Sequence, residues 1–431
     1  MNPASTNPAP QAGPLAGIRV VELGQYISGP YAAKLLADLG ADVIKVEAPE
    51  GDPMRRWEGS GAMSPQFAAY NRGKRAVALD LKTPQGLAEL LELARTADVL
   101  IENFRPGVAA RLGFGPDVLH ELNPRLITCS ITGFGAEGPY AKRPAYDTVI
   151  SAVGAMYSQV VPADTLRPLG PAFSDLLSGM SASQAVLAAL HARDARGTAD
   201  QPGEGEHLEV SMVGSLIDFL AEAASTFLET GQVAGPDSRP RRAQAYACVG
   251  SDGRAFVIHM SVPEKFWIGL VEVLETPELA TDPRFSTREA RVRNYDELDV
   301  ELKAITERMP RQHWLDRLAA ADIPHGPLNT VADLFDDPQI ASMGLVEEIV
   351  GHDGTPLRVP APSTRFHRSG RPALHAAPRL GADNATLLGR ADRGQADPGA
   401  ADPLAADERG ADAVRPAAAS DHLAPTEGAS A

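Results

Sequence analysis

Asp175 lies in the stretch Pro168-Leu169-Gly170-Pro171-Ala172-Phe173-Ser174-Asp175-Leu176-Leu177-Ser178-Gly179, at the start of a helix read over Asp175 to His191. A carboxylate in a first helical turn faces unpaired N–H groups and the positive end of the helix dipole, so it is expected to stay ionised. An ionised aspartate on a Gly/Pro approach can attack a reactive acyl group. Helix capping is the plainer use of the same position. Asp147, in Arg143-Pro144-Ala145-Tyr146-Asp147, precedes it by 28 residues, a gap that fits one crossover between neighbouring elements. Two carboxylates meeting in one pocket could divide labour, one attacking while the other holds or exchanges a proton. Asp147 could equally cap the helix that begins at Thr148.

Basic residues recur at the ends of the elements nearby. Arg55 and Arg56 follow the second strand, Arg72, Lys74 and Arg75 precede the third, and Arg105 and Arg111 follow Asn103-Phe104 at the end of the fourth. Each alone reads as a solvated surface residue. Together, in an acidic chain, they suit a ligand carrying several phosphates, with Phe104 or Tyr70 stacking on a base. The segment Gly133-Phe134-Gly135 through Gly138-Pro139-Tyr140 would let backbone approach such a ligand. No metal-ligand spacing, GxSxG elbow or phosphate-binding P-loop occurs, and Gly24 to Pro30 lacks the GxGxxG spacing of a nicotinamide site.

These residues need a frame, and its pattern is regular. Ile18 to Leu23 reads as a buried strand, Tyr31 to Leu39 as a helix and Asp42 to Val46 as a second strand, which makes one βαβ unit. Strands at Ala76 to Leu81, Asp98 to Glu102, Leu126 to Ser130 and His207 to Val210 alternate with helices, including one with Pro84 in its first turn. The fold class expected is α/β, with a Rossmann-like open parallel sheet. On the helix from Asp175, the slim side made by Gly179, Ser181, Ala182, Ser183 and Ala185 suggests close backbone packing. Composition shifts at Gly231 to Arg242, after which a hairpin around Ser251-Asp252-Gly253 and three helices suggest a smaller α+β domain. The expected organisation is a disordered arm over 1–14, a large domain over 15–230 and a small domain over 231–322. A return to the large domain over 323–372 and a disordered Ala/Asp/Pro/Gly tail over 373–431 complete it.

The chain has 431 residues, 44% hydrophobic and 22% charged, with a formal net charge of −16. That charge excludes a general nucleic-acid footprint. The two cysteines, Cys129 and Cys248, stand far apart and suggest a reducing compartment. With no basic, apolar leader and no apolar run of spanning length, the expectation is a cytoplasmic protein that does not enter membranes.

The ordered stretches of the chain also resemble the family III CoA transferases over roughly residues 14 to 370. They include Leu15-Ala16-Gly17-Ile18-Arg19-Val20-Val21-Glu22-Leu23 with Ser28-Gly29-Pro30, and Leu39-Gly40-Ala41-Asp42-Val43-Ile44-Lys45-Val46-Glu47 with Gly51-Asp52. Asn71-Arg72-Gly73-Lys74-Arg75, Asp98 through Gly107, the Asp175 segment, Ala321 through Pro327 and Asp336-Asp337-Pro338-Gln339 follow in order. The resemblance implies two domains in an interlocked homodimer, a coenzyme A thioester as substrate, no tightly bound cofactor, and a small carboxylic acid as acceptor. It implies that Asp175 is the covalent carrier and that Asn103, Phe104, Arg105 and Arg111 lie on the CoA-contacting stretch. Asp147 matches the place where formyl-CoA transferases carry an active-site glutamate. Arg55, Lys74, Arg75 and Tyr146 complete the candidate ligand contacts.

The wider group holds carnitine CoA-transferases and α-methylacyl-CoA racemases. The racemases use a Gly-His-Asp triplet that here reads Ala145-Tyr146-Asp147. A tyrosine lacks the near-neutral pKa of a proton shuttle, which favours transfer over racemisation. The run of four glycines of formyl-CoA transferases is replaced by Thr230 through Pro236, which speaks against oxalate and formate. A racemase and a non-catalytic CoA-binding protein are the alternatives.

Overall fold

The alternating pattern becomes six parallel strands in a computed structural model that describes residues 13–57, 63–162, 164–165, 167–198 and 200–389. The elements run β1 (Arg19–Glu22), α1 (Ser28–Asp38), β2 (Asp42–Glu47), α2 (Pro65–Asn71), β3 (Arg75–Ala78), α3 (Pro84–Arg95) and β4 (Val99–Glu102). Then come α4 (Val108–Arg111), α5 (Pro116–Leu122), β5 (Ile127–Thr132), α6 (Asp147–Val153), α7 (Met156–Val160), α8 (Phe173–Arg196) and β6 (His207–Ser211). Strand order is β3-β2-β1-β4-β5-β6. β1 therefore pairs with both β2 and β4, and the order reverses there. In an open parallel sheet, ligands bind in the crevice beyond the carboxyl ends of the strands at such a reversal. The loops after β1 and β4 form its mouth.

Successive strand residues face opposite sides, and both sides are apolar, as a sheet covered by helices on each face requires. Val20, Val43, Val99, Ile127 and Cys129 pack with Ala33 and Leu36 of α1 and Ala182 and Val186 of α8. Val21, Ile44, Val77 and Leu100 pack on the other face with Leu90 and Leu93 of α3 and Leu119 of α5. Thr83 caps α3 through Gly86 N–H, with Pro84 in its first turn as expected. Cys129 and Cys248 are free and buried.

The small antiparallel sheet joins β7 (Ala245–Val249), β8 (Ala255–His259) and β9 (His325–Pro327) over a separate core that includes Phe256, Trp267, Leu298 and Trp314. The chain leaves this sheet later than the sequence suggested at residue 323, because β9 pairs with β8. A hairpin of β10 (Val346–Val350) and β11 (Pro356–Pro360) follows.

The expectation of disorder from residue 373 is corrected for the part up to 389. Gly73 N–H donates to the carbonyl of His375 at 3.0 Å, and Ala377 is buried. Asp383 Oδ2 and Asn384 Oδ1 accept the β3 amides of Ala76 and Ala78, each at 2.9 Å. β3 is an edge strand whose outward N–H groups need acceptors, and these side chains supply them. Composition could not reveal this, since Asp and Asn serve as readily in a solvated tail. Gly13 and Pro14 of the expected arm are described, with the Gly13 carbonyl accepting Ala16 N–H at 3.2 Å. The remaining disorder expectations fall on residues 1–12 and 390–431, which lie outside the described residues. Among the described residues no helix is long and apolar enough to cross a membrane.

Candidate active site

Helix α8 begins without a cap from its own N-cap residue, Ala172. Its first-turn amide at Ser174 is instead taken by Asp147 Oδ1 at 2.7 Å, and the Ser174 hydroxyl donates to the same oxygen at 2.9 Å. Asp147 is thus a cap, but of α8 across space and not of its own helix α6. That contact brings two carboxylate side chains to one end of α8. Asp175, third residue of the helix and half-buried, accepts hydrogen bonds from the hydroxyl and the backbone N–H of Ser28, the first residue of α1.

Burial, then the negative charge of Asp147, push the Asp175 carboxyl up to about 7, and the Ser28 hydrogen bonds oppose the rise. The sequence reading, a carboxylate kept ionised by the helix end, is corrected on this point. A group removed from water beside a like charge resists ionisation more than helix N–H groups favour it. The result is a carboxyl that gains and loses its proton near neutrality.

The Ser28 loop is itself held from β4. Asn103 Nδ2 donates to Ser28 Oγ and to Gln25 O, both at 2.9 Å, while its Oδ1 accepts Gln25 N–H at 2.9 Å. Asn103, expected to touch ligand, ties the two loops of the crevice together. Gly179, one turn beyond Asp175, allows α8 to lie against α1. A Cβ there would stand 2.9 Å from Ser28 O and 3.0 Å from the Tyr31 ring. The slim helix face read from the sequence has this function.

Tyr146 is 61% exposed and meets the Tyr26 ring edge-on at 6.0 Å, and the Trp57 ring lies tilted 6.3 Å from that of Tyr26. Tyr26 holds a left-handed φ of 62°, which a non-glycine residue adopts at a cost. Sequence reasoning assigned no role to Ser28, Tyr26 or Trp57. The turn Gly24 to Pro30 marked the place of the first two, and nothing local marked the third.

The basic candidates divide. Arg55 is buried, with its guanidinium bonded twice to Glu47 at 2.6 and 2.7 Å, to the Pro378 carbonyl, and stacked 3.9 Å from the Phe67 ring centre. Lys74 is buried on Glu22 at 3.0 Å, and burial pushes it down to about 8. Arg75 pairs with Asp42 and Asp383. These three charges are paired within the fold, Arg55 and Lys74 buried and Arg75 half-exposed. Phe104 is half-buried with its ring edge-on to Phe114 at 6.2 Å. Arg105 and Arg111 are exposed on the loop and short helix after β4 and have no ion-pair partner among the described residues. Among the described residues no group of three His, Cys, Asp or Glu side chains could hold a metal ion.

Known proteins share this arrangement of sequence and fold. The family model for CoA-transferase family III matches residues 15–384. An acetyl-CoA:oxalate CoA-transferase of Acetobacter aceti is 37% identical over 376 residues, covering 86% of this chain and 95% of its own. A succinate–glutarate CoA-transferase of Agrobacterium fabrum is 34% identical over 391 residues, covering 87% and 95%. The crystal structure of a CAIB/BAIF family protein from Brucella suis superposes with a TM-score of 0.77 at 34% identity, covering 88% of this chain and 99% of that one.

Proposed function

The chain belongs to CoA-transferase family III, and from that premise we propose that it moves coenzyme A from an acyl-CoA thioester to a free carboxylic acid through Asp175. The observation that carries the reading is the half-buried Asp175 carboxyl, poised near neutrality and hydrogen-bonded to Ser28 at the crevice between β1 and β4.

In the proposed sequence the Asp175 carboxylate attacks the thioester carbonyl. The C–S bond breaks, leaving a mixed anhydride and a CoA thiolate. The thiolate attacks the aspartyl carbonyl, releasing the donor acid as its carboxylate and leaving an aspartyl-CoA thioester. An acceptor carboxylate then repeats both steps in reverse, and Asp175 is regenerated. Each step exchanges one acyl–oxygen or acyl–sulfur bond for another, so a difficult transfer becomes a series of easier ones. Ser28 orients the attacking oxygen, and Asp147 keeps Asp175 basic enough to attack. Arg105 and Arg111 would take the CoA phosphates, a role supported by their exposure and by their having no ion-pair partner among the described residues. Tyr26, Trp57 and Tyr146 would wall the acyl end.

The reading is tested by intact mass after mixing with acetyl-, succinyl- and glutaryl-CoA, followed by hydroxylamine trapping. A CoA-sized adduct is expected before trapping, and hydroxylamine should release the CoA thiol and leave a hydroxamate that maps to Asp175. Asp175→Ala should lose the adduct and on the order of a thousandfold or more in kcat. An active Asp175→Ala enzyme would sink the proposal. Racemisation predicts deuterium entering at Cα without an acceptor acid, and none is expected. Oxalate belongs in the acceptor panel because of the Acetobacter aceti relative, although the Thr230 to Pro236 linker argues against it.

We also propose a homodimer, supported by the exposed apolar side chains Ile217, Phe219, Phe227 and Leu228. Sedimentation showing a monomer at micromolar concentration would reject it.

A further inference from the structure

Two buried lysines lie under the loop that presents Ser28 to Asp175. Lys45 Nζ touches Glu22 Oε1 at 3.4 Å, Asp52 Oδ2 at 3.2 Å and the carbonyl of Gly24 at 2.8 Å. Lys74 Nζ touches the other oxygen of Glu22 at 3.0 Å, Asn71 Oδ1 at 2.8 Å and the carbonyl of Pro30 at 2.8 Å. An ammonium has three N–H donors. Lys74 hydrogen-bonds three acceptors, while Lys45 hydrogen-bonds Glu22 and the Gly24 carbonyl and is ion-paired with Asp52. Both ammonium groups are buried away from any ligand phosphate. Both side chains and that of Glu22 are fully shielded from solvent.

The two carbonyls so held are the ends of one loop. Gly24 lies just after β1, and Pro30 lies in the first turn of α1, with Ser28 between them. The loop is also folded tightly on itself, since a Cβ on Gly24 would stand 2.9 Å from the Cα of Gly29. Asn103 grips the same loop from β4 through Gln25 and Ser28. Burying four charged groups is expensive unless every donor and acceptor is met, and simple stability would be served as well by apolar packing. The cluster is explained by what it holds in place.

We infer that Lys45 and Lys74, bridged by Glu22, are positioning residues that clamp both ends of the Gly24–Pro30 loop and thereby fix the Ser28 hydrogen bonds on Asp175. The inference rests on the reading of Asp175 as nucleophile. It also reassigns Lys74, whose sequence position suggested contact with ligand. A loosened clamp lets Ser28 drift, and Asp175 loses the hydrogen bonds that hold its pKa down.

The test uses the full chain with Lys74→Met, the charge-balanced pair Glu22→Gln/Lys74→Met, and Ser28→Ala, alone and combined. The paired variant leaves Lys45 with Asp52 and removes one charge of each sign, which keeps a folded sample available. The expected result for Lys74→Met is kcat lower by about tenfold with KM for acyl-CoA within about twofold. The acid limb of the pH profile should move to higher pH. On the Ser28→Ala background the same substitution should cost markedly less, because both act through one hydrogen-bonded unit. Unchanged kcat and acid limb in a folded variant would overturn the inference. So would strict additivity with Ser28→Ala, or a raised KM with kcat intact, the signature of a phosphate contact. Asp175→Ala separates the two claims. If it stays active, the nucleophile reading fails. If it is dead while the Lys74 variants behave like the parent enzyme, only the clamp fails.

Discussion

At the scale of residues, the site turns on the proton of one carboxyl group. Because Asp175 is pushed up to about 7 and must be ionised to attack in the proposed mechanism, kcat/KM should fall about tenfold per pH unit below that value. A profile that stays flat down to pH 5 would contradict this. Asp147→Asn keeps an oxygen to accept the Ser174 N–H but deletes the neighbouring charge, so the acid limb should move to lower pH. Stability must follow the same proton. The folded chain holds it up to pH about 7, whereas an unfolded aspartate releases it near its ordinary 3.8. Stability from this group is therefore full below 3.8 and is lost as pH rises through 7. Asp175→Asn should be the more stable protein at pH 8 in thermal unfolding, with the gain disappearing at pH 4. The position of Asp175 at a helix start was legible in the sequence. Its raised pKa was not, because burial and the charge of Asp147 come from segments that meet it only in the folded chain.

At the scale of elements, α8 and α1 meet so closely that only glycine fits at the crossing. Gly179→Ala would drive a methyl group against the backbone oxygen of Ser28, which cannot swing aside as a side chain tip does. The expected cost is about 1–3 kcal/mol of stability in urea unfolding. A fall in kcat beyond what the unfolded fraction explains should accompany it, since the displaced residue is the partner of Asp175. An unchanged enzyme would mean that the two helices separate without consequence. The run of small residues announced a close approach in the sequence. Which helix approaches was decided by the sheet order, which puts α1 and α8 on the same face. The βαβ rhythm was equally plain, because strands buried on both faces must read as aliphatic runs.

At the scale of the molecule, the segment after residue 373 closes the β3 edge, and Leu387 and Leu388 pack on the sheet face beneath. Ending the chain at residue 372 would leave the amides of Ala76 and Ala78 and the guanidinium of Arg55 short of acceptors. A loss of at least about 2 kcal/mol is expected, read as a lower urea midpoint; an unchanged midpoint would show that the edge needs no cover. The sequence by itself determined the parallel α/β plan, the family, and the aspartate on which the chemistry is proposed to turn. These follow from periodicity and from ordered local motifs, which are properties of neighbours in the chain. Only the tertiary structure decided which charges are free. Arg55, Lys74 and Arg75 looked like Arg105 and Arg111 in one dimension, yet the first three pair with carboxylates of other segments and the last two face solvent. A charge's role depends on what lies within a few ångströms of it, and that is fixed by the packing of distant segments.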